Sequence, residues 1–323
     1  MNLILWQKKL TCMPRLVTTF LLFCCATTLA LAQQQPLHLA SGTVRRFEQF
    51  PSRHVAARNV DVWLPEGYSP EERYAVLYMH DGQMLFDSAQ TWNHQEWRVD
   101  ETMGKLLKAK KIRPVIVIGV WNNPDLRGRE YGPQKAFDYL SEADQKTVAA
   151  EKDRRTQKPV LGDGLLSDNY LKFLVTELKP FVDSVFATKT DRKNTFVAGS
   201  SMGGLISMYA ICEYPQVFGG AACLSTHWPG PIFRAENNPV PAAFMAYLKN
   251  HLPSPKNHKI YFDHGTAALD ALYPAFQKQA DEVMRTKGFT AKNWMTRAFE
   301  GADHSERAWA ARLDVPLIFL LKK

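Results

Sequence analysis

Short apolar runs alternate along this chain with longer segments in which apolar residues recur every three or four positions. The short runs predict strands and the longer periodic segments predict helices. Alternating stretches at 42–50 and 55–64 predict two antiparallel strands, and apolar runs at 74–79 and 115–120 predict buried strands. Strands that alternate with helices are typical of an α/β fold, in which helices cover both faces of a mostly parallel sheet.

The same alternation continues to the end of the chain. Helices are predicted at about 99–110, 168–185, 205–212 and 271–287, and further strands at 194–198, 219–224, 259–262 and 293–299. A long polar stretch at 122–167 interrupts the pattern, and long loops inside compact domains are usually functional or disordered. We therefore expect its first part to form a pocket wall and residues of about 132–167 to form a solvated lid or insertion. Residues 33–323 are expected to form a single domain.

The first 32 residues have a different pattern from the rest. Lys8, Lys9 and Arg15 precede an uncharged run that ends in Ala30-Leu31-Ala32, the small residues that a signal peptidase reads. A transmembrane anchor is the alternative, but the apolar part is short and is broken by threonines. We predict a signal peptide cut between Ala32 and Gln33, and a periplasmic or secreted protein without stable membrane insertion.

Charge and cysteine content exclude several classes of function. Removing the three positive charges of the leader lowers the formal net charge from +8 to about +5, and no cluster of basic residues with interleaved aromatics stands out. We therefore predict no nucleic-acid binding. Cys212 and Cys223 remain in the mature chain, where buried free thiols are favoured over a disulfide. No metal-ligand spacing such as C-x-x-C or H-E-x-x-H occurs, so no cofactor and no metal are predicted.

The candidate nucleophile lies in the segment 197–204. Gly199, Ser201 and Gly203 form a G-x-S-x-G pattern between an apolar strand and an apolar helix. This pattern is typical of a nucleophile elbow, where a tight strand-to-helix turn leaves no room for side chains beside the serine. Ser201 is therefore the candidate nucleophile.

A histidine and an acid follow in the order Ser, Asp, His that this motif uses. His304 lies just after the last predicted strand, from which a loop residue reaches the elbow. Two aspartates, Asp263 and Asp270, follow the strand at 259–262. Asp270 is favoured because it lies further into the loop, and Asp263 is the second choice because it can cap the turn at Gly265. A helix N-cap is the alternative role for Asp270.

An oxyanion hole needs two backbone donors. The N–H of Met202, directly after the candidate nucleophile, is predicted as one donor. The loop at 80–83 follows the third strand at the carboxyl edge of the sheet, and Gln83 N–H is predicted as the other, although His-Asp-Gly also suits a plain turn.

Four further residues are predicted to line a substrate pocket. Arg127 and Arg129 lie at the start of the polar stretch, and His227 and Trp228 follow the strand at 219–224. Packing without contact to substrate is the alternative for them.

The chain resembles the "putative esterase" family of α/β-hydrolases, which includes S-formylglutathione hydrolase, enterochelin esterases, feruloyl esterases and mycolyltransferases. The resemblance spans about residue 60 to the C-terminus and rests on the segments 77–83, 127–133, 199–204 and 301–305. It implies an α/β-hydrolase fold, Ser201 as nucleophile, His304 as base, and Met202 and Gln83 as oxyanion donors. The acid departs from the pattern, because many members place it at the position of Ala268, two residues before Asp270.

The expected function is an exported serine carboxylesterase that forms an acyl-enzyme on a small-molecule ester, of the siderophore-trilactone or feruloyl type. Two alternatives stay open. An acyltransferase of the same fold would exclude water and admit another acceptor. A non-catalytic ligand-binding member would retain the fold without the chemistry.

Overall fold

The computed structural model describes residues 37–152, 157–231 and 237–322. The predicted signal peptide, residues 1–32, lies outside the described residues. The strands are β1 Thr43–Phe50, β2 Arg58–Leu64, β3 Ala75–His80, β4 Val115–Val120, β5 Thr195–Ser200, β6 Gly220–Leu224, β7 Lys259–Gly265 and β8 Trp294–Phe299. The α-helices are α1 Val99–Lys108, α2 Arg127–Tyr131, α3 Glu142–Ala150, α4 Ser167–Lys172, α5 Lys179–Val185, α6 Met202–Glu213, α7 Val240–His251, α8 Tyr273–Thr286, α9 Glu306–Ala310 and α10 Asp314–Leu321.

The strands of the described residues form one sheet in the order β1-β2-β4-β3-β5-β6-β7-β8. β2 is antiparallel to both of its neighbours, β1 and β4, whereas the strands from β4 to β8 across the sheet pair in parallel. This arrangement confirms the predicted α/β fold with a mostly parallel sheet. The carboxyl ends of the parallel strands meet at one edge, where the loops after β3, β5, β6, β7 and β8 come together.

The sheet has an apolar core on each face because successive side chains of a strand point to opposite sides. In β3, Val76 and Tyr78 belong to the core that α6 and α7 cover. Leu77 and Met79 belong to the core that α1 and α10 cover. Both faces of the central strands are therefore buried, which explains why the sequence of β3 is continuously apolar.

Several boundaries differ from those that the sequence pattern predicts. The helix predicted at 168–185 is divided into α4, a π-helical stretch Phe173–Leu178, and α5. Pro180 lies in the first turn of α5 and has no N–H to donate to the preceding turn, which is where the wider π-helical turn occurs. The pattern also did not predict α2, α3, α7, α9 and α10; α2 and α9 have only five residues each, and α10 is too uniformly apolar to show a helical period.

The polar segment at 132–167 is folded in its described parts, 132–152 and 157–167. It contains a 3₁₀ helix, Gln134–Tyr139, and α3. Ala136, Leu140 and Val148 bury their side chains in the core that α7 covers, and Phe137 packs edge-on against Phe244. The described parts of the segment therefore pack on α7 through these side chains, while most residues of 141–152 are exposed; a lid or insertion at about 132–167 stays a prediction.

Cys212 in α6 and Cys223 in β6 are free thiols, as predicted. Burial raises the pKa of both thiols above the ordinary value, which keeps them protonated and unreactive. No helix in the described part of the chain combines the length and apolar character needed to cross a membrane.

An acidic cluster surrounds the start of α1. Burial raises the pKa of Glu96 to about 7, and the negative charges of Glu101 and Asp100 add to this effect. Burial likewise raises the pKa of Asp100 to about 6. Arg98 pairs with Glu101 at 2.9 Å, but one carboxyl oxygen of each of the three acids has no hydrogen-bond partner among the described residues. Burial and the neighbouring negative charge therefore favour the protonated form of Glu96 and of Asp100.

We expect Glu96→Gln to stabilise the protein at alkaline pH. An unfolded glutamate has a pKa of about 4.3, so the raised pKa in the folded state favours folding below about pH 4 and this contribution is lost as the pH rises through about 7. Thermal unfolding should give a Tm about 2 °C higher for the variant at pH 8 and no difference near pH 4. Glu66→Gln, at an exposed position after β2, is the control. An equal gain at both pH values would contradict this account.

Candidate active site

Ser201 lies at a sharp turn between β5 and α6. Its backbone has φ 57° and ψ −123°, a region that residues with a side chain rarely adopt. Gly199 makes this turn possible, because a Cβ at that position would lie 2.8 Å from the backbone of Gly203. The Ser201 N–H donates to the carbonyl of Leu224 at 3.0 Å, which fixes the turn against the end of β6. The strained geometry is that of a nucleophile elbow.

His304 lies in the loop after β8 and contacts Asp270. Its Nδ1 is 2.5 Å from Asp270 Oδ1. Burial opposes ionisation of Asp270, but hydrogen bonds from His304, Ser225 Oγ and the Gly265 N–H outweigh it and lower its pKa below the ordinary value. Since an ionised carboxylate can only accept, Nδ1 carries the proton and Nε2 is left as the basic nitrogen. Trp309 contacts the imidazole edge-on at a centroid distance of 5.0 Å and helps to hold it.

Asp263, the second choice for the acid, lies in a separate ion pair. Its Oδ1 is 3.1 Å from Arg312 Nη2, and its Oδ2 accepts a hydrogen bond from Tyr261 at 2.9 Å. Burial raises the pKa of Asp263, and Arg312 opposes this rise. Of the two candidate carboxylates, the structure therefore brings Asp270 to His304 and directs Asp263 to Arg312.

Ser225 connects the Asp270–His304 contact with the Asp263–Arg312 ion pair. The sequence did not predict this role. Its Oγ donates to Asp270 Oδ2 at 2.5 Å and accepts from Trp309 Nε1 at 3.0 Å and Arg312 Nη2 at 2.8 Å. The only signal in the sequence was its place directly after β6, at the carboxyl edge of the sheet.

Ser201 and His304 line one cavity of about 470 Å³. Gln83 also lines it, from a 3₁₀ turn, Gly82–Met84, that follows β3. Met202 is the first residue of α6, where an α-helix offers no intrahelical acceptor for the N–H. The two predicted oxyanion donors therefore belong to segments that flank Ser201.

The loop that carries Gln83 is fixed by Asp81. Arg127 donates to both carboxylate oxygens of Asp81 at 2.8 Å, and the Asn122 amide donates to it at 2.6 Å. Burial opposes ionisation of Asp81, but Arg127 outweighs it and lowers the pKa of the carboxyl. Gly82 is required in this loop, since a Cβ there would lie 2.5 Å from the backbone of Gly119.

The four predicted pocket residues separate into two groups. Arg127 lines the cavity and is held by Asp81. Arg129 instead donates to the carbonyl of Gly164 at 2.6 Å, outside the cavity wall. His227 and Trp228 are 1% and 0% exposed and contact residues of α8. None of these three side chains lines the cavity that holds Ser201: Arg129 is half-buried beside Gly164, and His227 and Trp228 are buried against α8, so their contact with substrate stays a prediction.

Several cavity residues were not identified from the sequence. Trp92, Asn93, Trp97, Glu306 and Trp309 all line the wall near His304. Trp92 is 82% exposed, whereas Trp97 and Trp309 are buried and pack on each other at a centroid distance of 5.4 Å. Residues 88–97 follow the oxyanion loop without a regular period, so nothing in their pattern indicated a wall. The described segment 132–152 and 157–167, expected as a lid, contributes no residue to this cavity.

No group of three or more His, Cys, Asp or Glu side chains is arranged to bind a metal within residues 37–152, 157–231 and 237–322. The arrangement around Ser201 instead offers an alcohol, a basic nitrogen and an ionised acid, which are the groups needed for acyl transfer through a covalent intermediate.

Comparison with known proteins points to the same chemistry. A family model described as "Putative esterase" matches residues 55–320. An endo-1,4-beta-xylanase/feruloyl esterase of Xylanibacter ruminicola is 25% identical over 268 residues, which cover 80% of this chain and 28% of that protein.

Solved structures share the architecture at low sequence identity. A ferulic acid esterase superposes with a TM-score of 0.59 at 16% identity, over 87% of this chain and 98% of the other. The enterobactin esterase of Shigella flexneri, solved in the presence of 2,3-dihydroxy-N-benzoyl-serine, gives a TM-score of 0.58 at 16% identity, over 86% of this chain and 58% of the other. At this identity the structural match shows a common fold.

Proposed function

This chain belongs to the "Putative esterase" family and is an ester-hydrolysing enzyme, and we propose that it is an exported serine carboxylesterase that acts through Ser201, His304 and Asp270. The observation that carries the proposal is the 2.5 Å contact between Asp270 Oδ1 and His304 Nδ1, beside a cavity that His304 shares with Ser201. The family match runs from before β2 into α10 and includes these three residues.

In the proposed mechanism, His304 Nε2 takes the proton of Ser201 while Oγ attacks the ester carbonyl. The negative charge that develops on the carbonyl oxygen is held by the N–H groups of Met202 and Gln83. His304 then returns the proton to the leaving alcohol, and an acyl group remains on Ser201. Water, activated by the same imidazole, attacks this acyl-enzyme and releases the acid.

The role of Asp270 follows from its contacts. Three donors surround its carboxylate, so it stays ionised and holds the Nδ1 proton of His304. This fixes the tautomer in which Nε2 is the base and stabilises the imidazolium that forms in the transition state.

The proposed substrates are esters of the feruloyl or siderophore-trilactone type. Support comes from the names of the similar proteins, one a feruloyl esterase and one an enterobactin esterase. A cavity of about 470 Å³ lined by Trp92, Trp97 and Trp309 is of a size and character that suit an aromatic acyl group.

We expect Ser201→Ala to lower ester hydrolysis by about 10⁵-fold. The measurement is kcat/KM of the protein from Gln33 onward on p-nitrophenyl acyl esters, methyl ferulate and a catecholate trilactone. A fluorophosphonate probe should label the unaltered protein and leave the variant unlabelled. Ser207→Ala is the control, because that hydroxyl bonds the Gly203 carbonyl within α6. Retained hydrolysis in the purified Ser201 variant would overturn the assignment.

Asp270→Asn should lower the turnover number, whereas Asp263→Asn should lower the stability of the fold. Asp270→Asn presents an amide to His304 and favours the wrong tautomer, so kcat should fall by about 10⁴-fold while the fold is retained. Asp263→Asn leaves the buried Arg312 charge without its partner and should lower the free energy of unfolding by about 3 kcal/mol. Steady-state kinetics and urea unfolding separate the two effects. If Asp263→Asn alone abolished turnover in folded protein, the acid would be misassigned.

The proposed export rests on the sequence of residues 1–32 and has its own test. Expressed with its leader, the protein should be recovered outside the cytoplasm with a mass that begins at Gln33, measured by intact mass spectrometry because an N-terminal glutamine cyclises. Ala32→Arg should block the cut, since the peptidase requires a small residue there. A protein that retained Met1 in every fraction would exclude the predicted processing.

A further inference from the structure

Glu306 is a carboxylate in the wall of the cavity, and among the described residues it acts on the Arg127 guanidinium from a distance, without a direct ion pair. Four ionisable side chains line this cavity: Asp81, Arg127, His304 and Glu306. Asp81 and Arg127 pair bidentately, so their charges cancel locally. Glu306 Oε2 accepts a hydrogen bond from the Asn93 amide at 2.8 Å, and no ion pair joins Glu306 to a described lysine or arginine. Counted over the side chains that line the cavity, and with a neutral imidazole, Glu306 therefore adds one negative charge that Arg127, already paired with Asp81, offsets only from a distance.

Trp92 presents an indole to solvent in the same wall. It is 82% exposed, the largest exposed fraction among the large apolar side chains of the described residues. It precedes Asn93, whose amide ties this loop to Glu306. Its indole is therefore open to contact with a ligand that occupies the cavity.

From these observations we propose that Trp92 and Glu306 form a subsite for a positively charged group of the ester substrate. The indole face attracts cations through its quadrupole, and tryptophan is the most favourable aromatic side chain for this contact. The carboxylate supplies the opposite charge. The inference rests on the proposed esterase function and concerns the alcohol side of the substrate at the same site, namely esters whose alcohol bears an ammonium or alkylammonium group.

The negative charge of Glu306 favours a cationic ligand over the neutral and anionic ligands that could also occupy this wall. A phenolic hydroxyl can donate to the carboxylate, but it leaves the negative charge uncompensated. An anionic ester is repelled by Glu306 and finds Arg127 already engaged by Asp81. A monocation compensates the charge and also covers the indole.

The test compares two esters of one acid that have the same shape and a different charge, a choline ester and the 3,3-dimethylbutyl ester. We expect kcat/KM to favour the choline ester by about fivefold at low ionic strength, and this preference to fall as salt is added. Glu306→Gln, which keeps an acceptor for Asn93, should lower the ratio to about one, and Trp92→Leu should halve it. Glu300→Gln, at an exposed position outside the cavity, should keep the ratio.

Calorimetry of the two esters with Ser201→Ala protein gives the same comparison without turnover, and circular dichroism checks that each variant is folded. Equal values for the two esters, or an unchanged ratio in Glu306→Gln, would overturn the subsite. In that case Ser201-dependent hydrolysis of the neutral ester would leave the proposed esterase function intact. Failure of the esterase function itself would instead appear as the absence of Ser201-dependent hydrolysis on every ester, whatever its charge.

Discussion

The buried carboxylate of Asp270 is the interaction on which the rest of the site depends. It accepts hydrogen bonds from His304 after β8, from Ser225 after β6 and from Gly265 at the end of β7. Three neighbouring strands of the parallel sheet therefore converge on one ionised group. A buried charge persists only when its oxygens accept hydrogen bonds, and the parallel sheet supplies the donors because it brings the carboxyl ends of its strands to one edge.

A second buried aspartate, near the predicted oxyanion loop, is also stabilised by donors from a neighbouring segment. Asp81 is buried in the loop after β3 and is held by Arg127 and Asn122 from the segment after β4. The segments that flank the candidate nucleophile are thus each held by a buried aspartate that accepts hydrogen bonds from residues following other strands. The turn at Ser201 lies between them, and Gly199 allows it to approach the backbone of α6. Rigid placement of this kind is what an oxyanion hole requires, since its donors must be in place before charge develops.

The parts of this arrangement that local sequence determines were predictable. The apolar run of β4 gave its bounds, 115–120, without error, and the glycines around Ser201 marked the turn. The acid was resolved only as a preference, because the predicted strand ended at residue 262 and left both aspartates in the following loop, whereas Asp263 lies within β7. Ser225 and Arg312 were missed because their meeting depends on how α9 docks, which no local pattern encodes. His227 and Trp228 were placed in the correct loop, but the direction of their side chains is set by packing against α8.

The hydroxyl of Ser225 has a consequence beyond hydrogen bonding. It contacts both Asp270 and Arg312, and Arg312 is also the counter-ion of Asp263. A change at residue 263 that removes the negative charge leaves Arg312 to be shared between Ser225 and the acid at 270, to which its Nη2 already lies within 3.9 Å. Losing both charges leaves no buried ion unpaired, whereas losing either one alone leaves a buried charge beside the site, so positions 263 and 312 are energetically coupled.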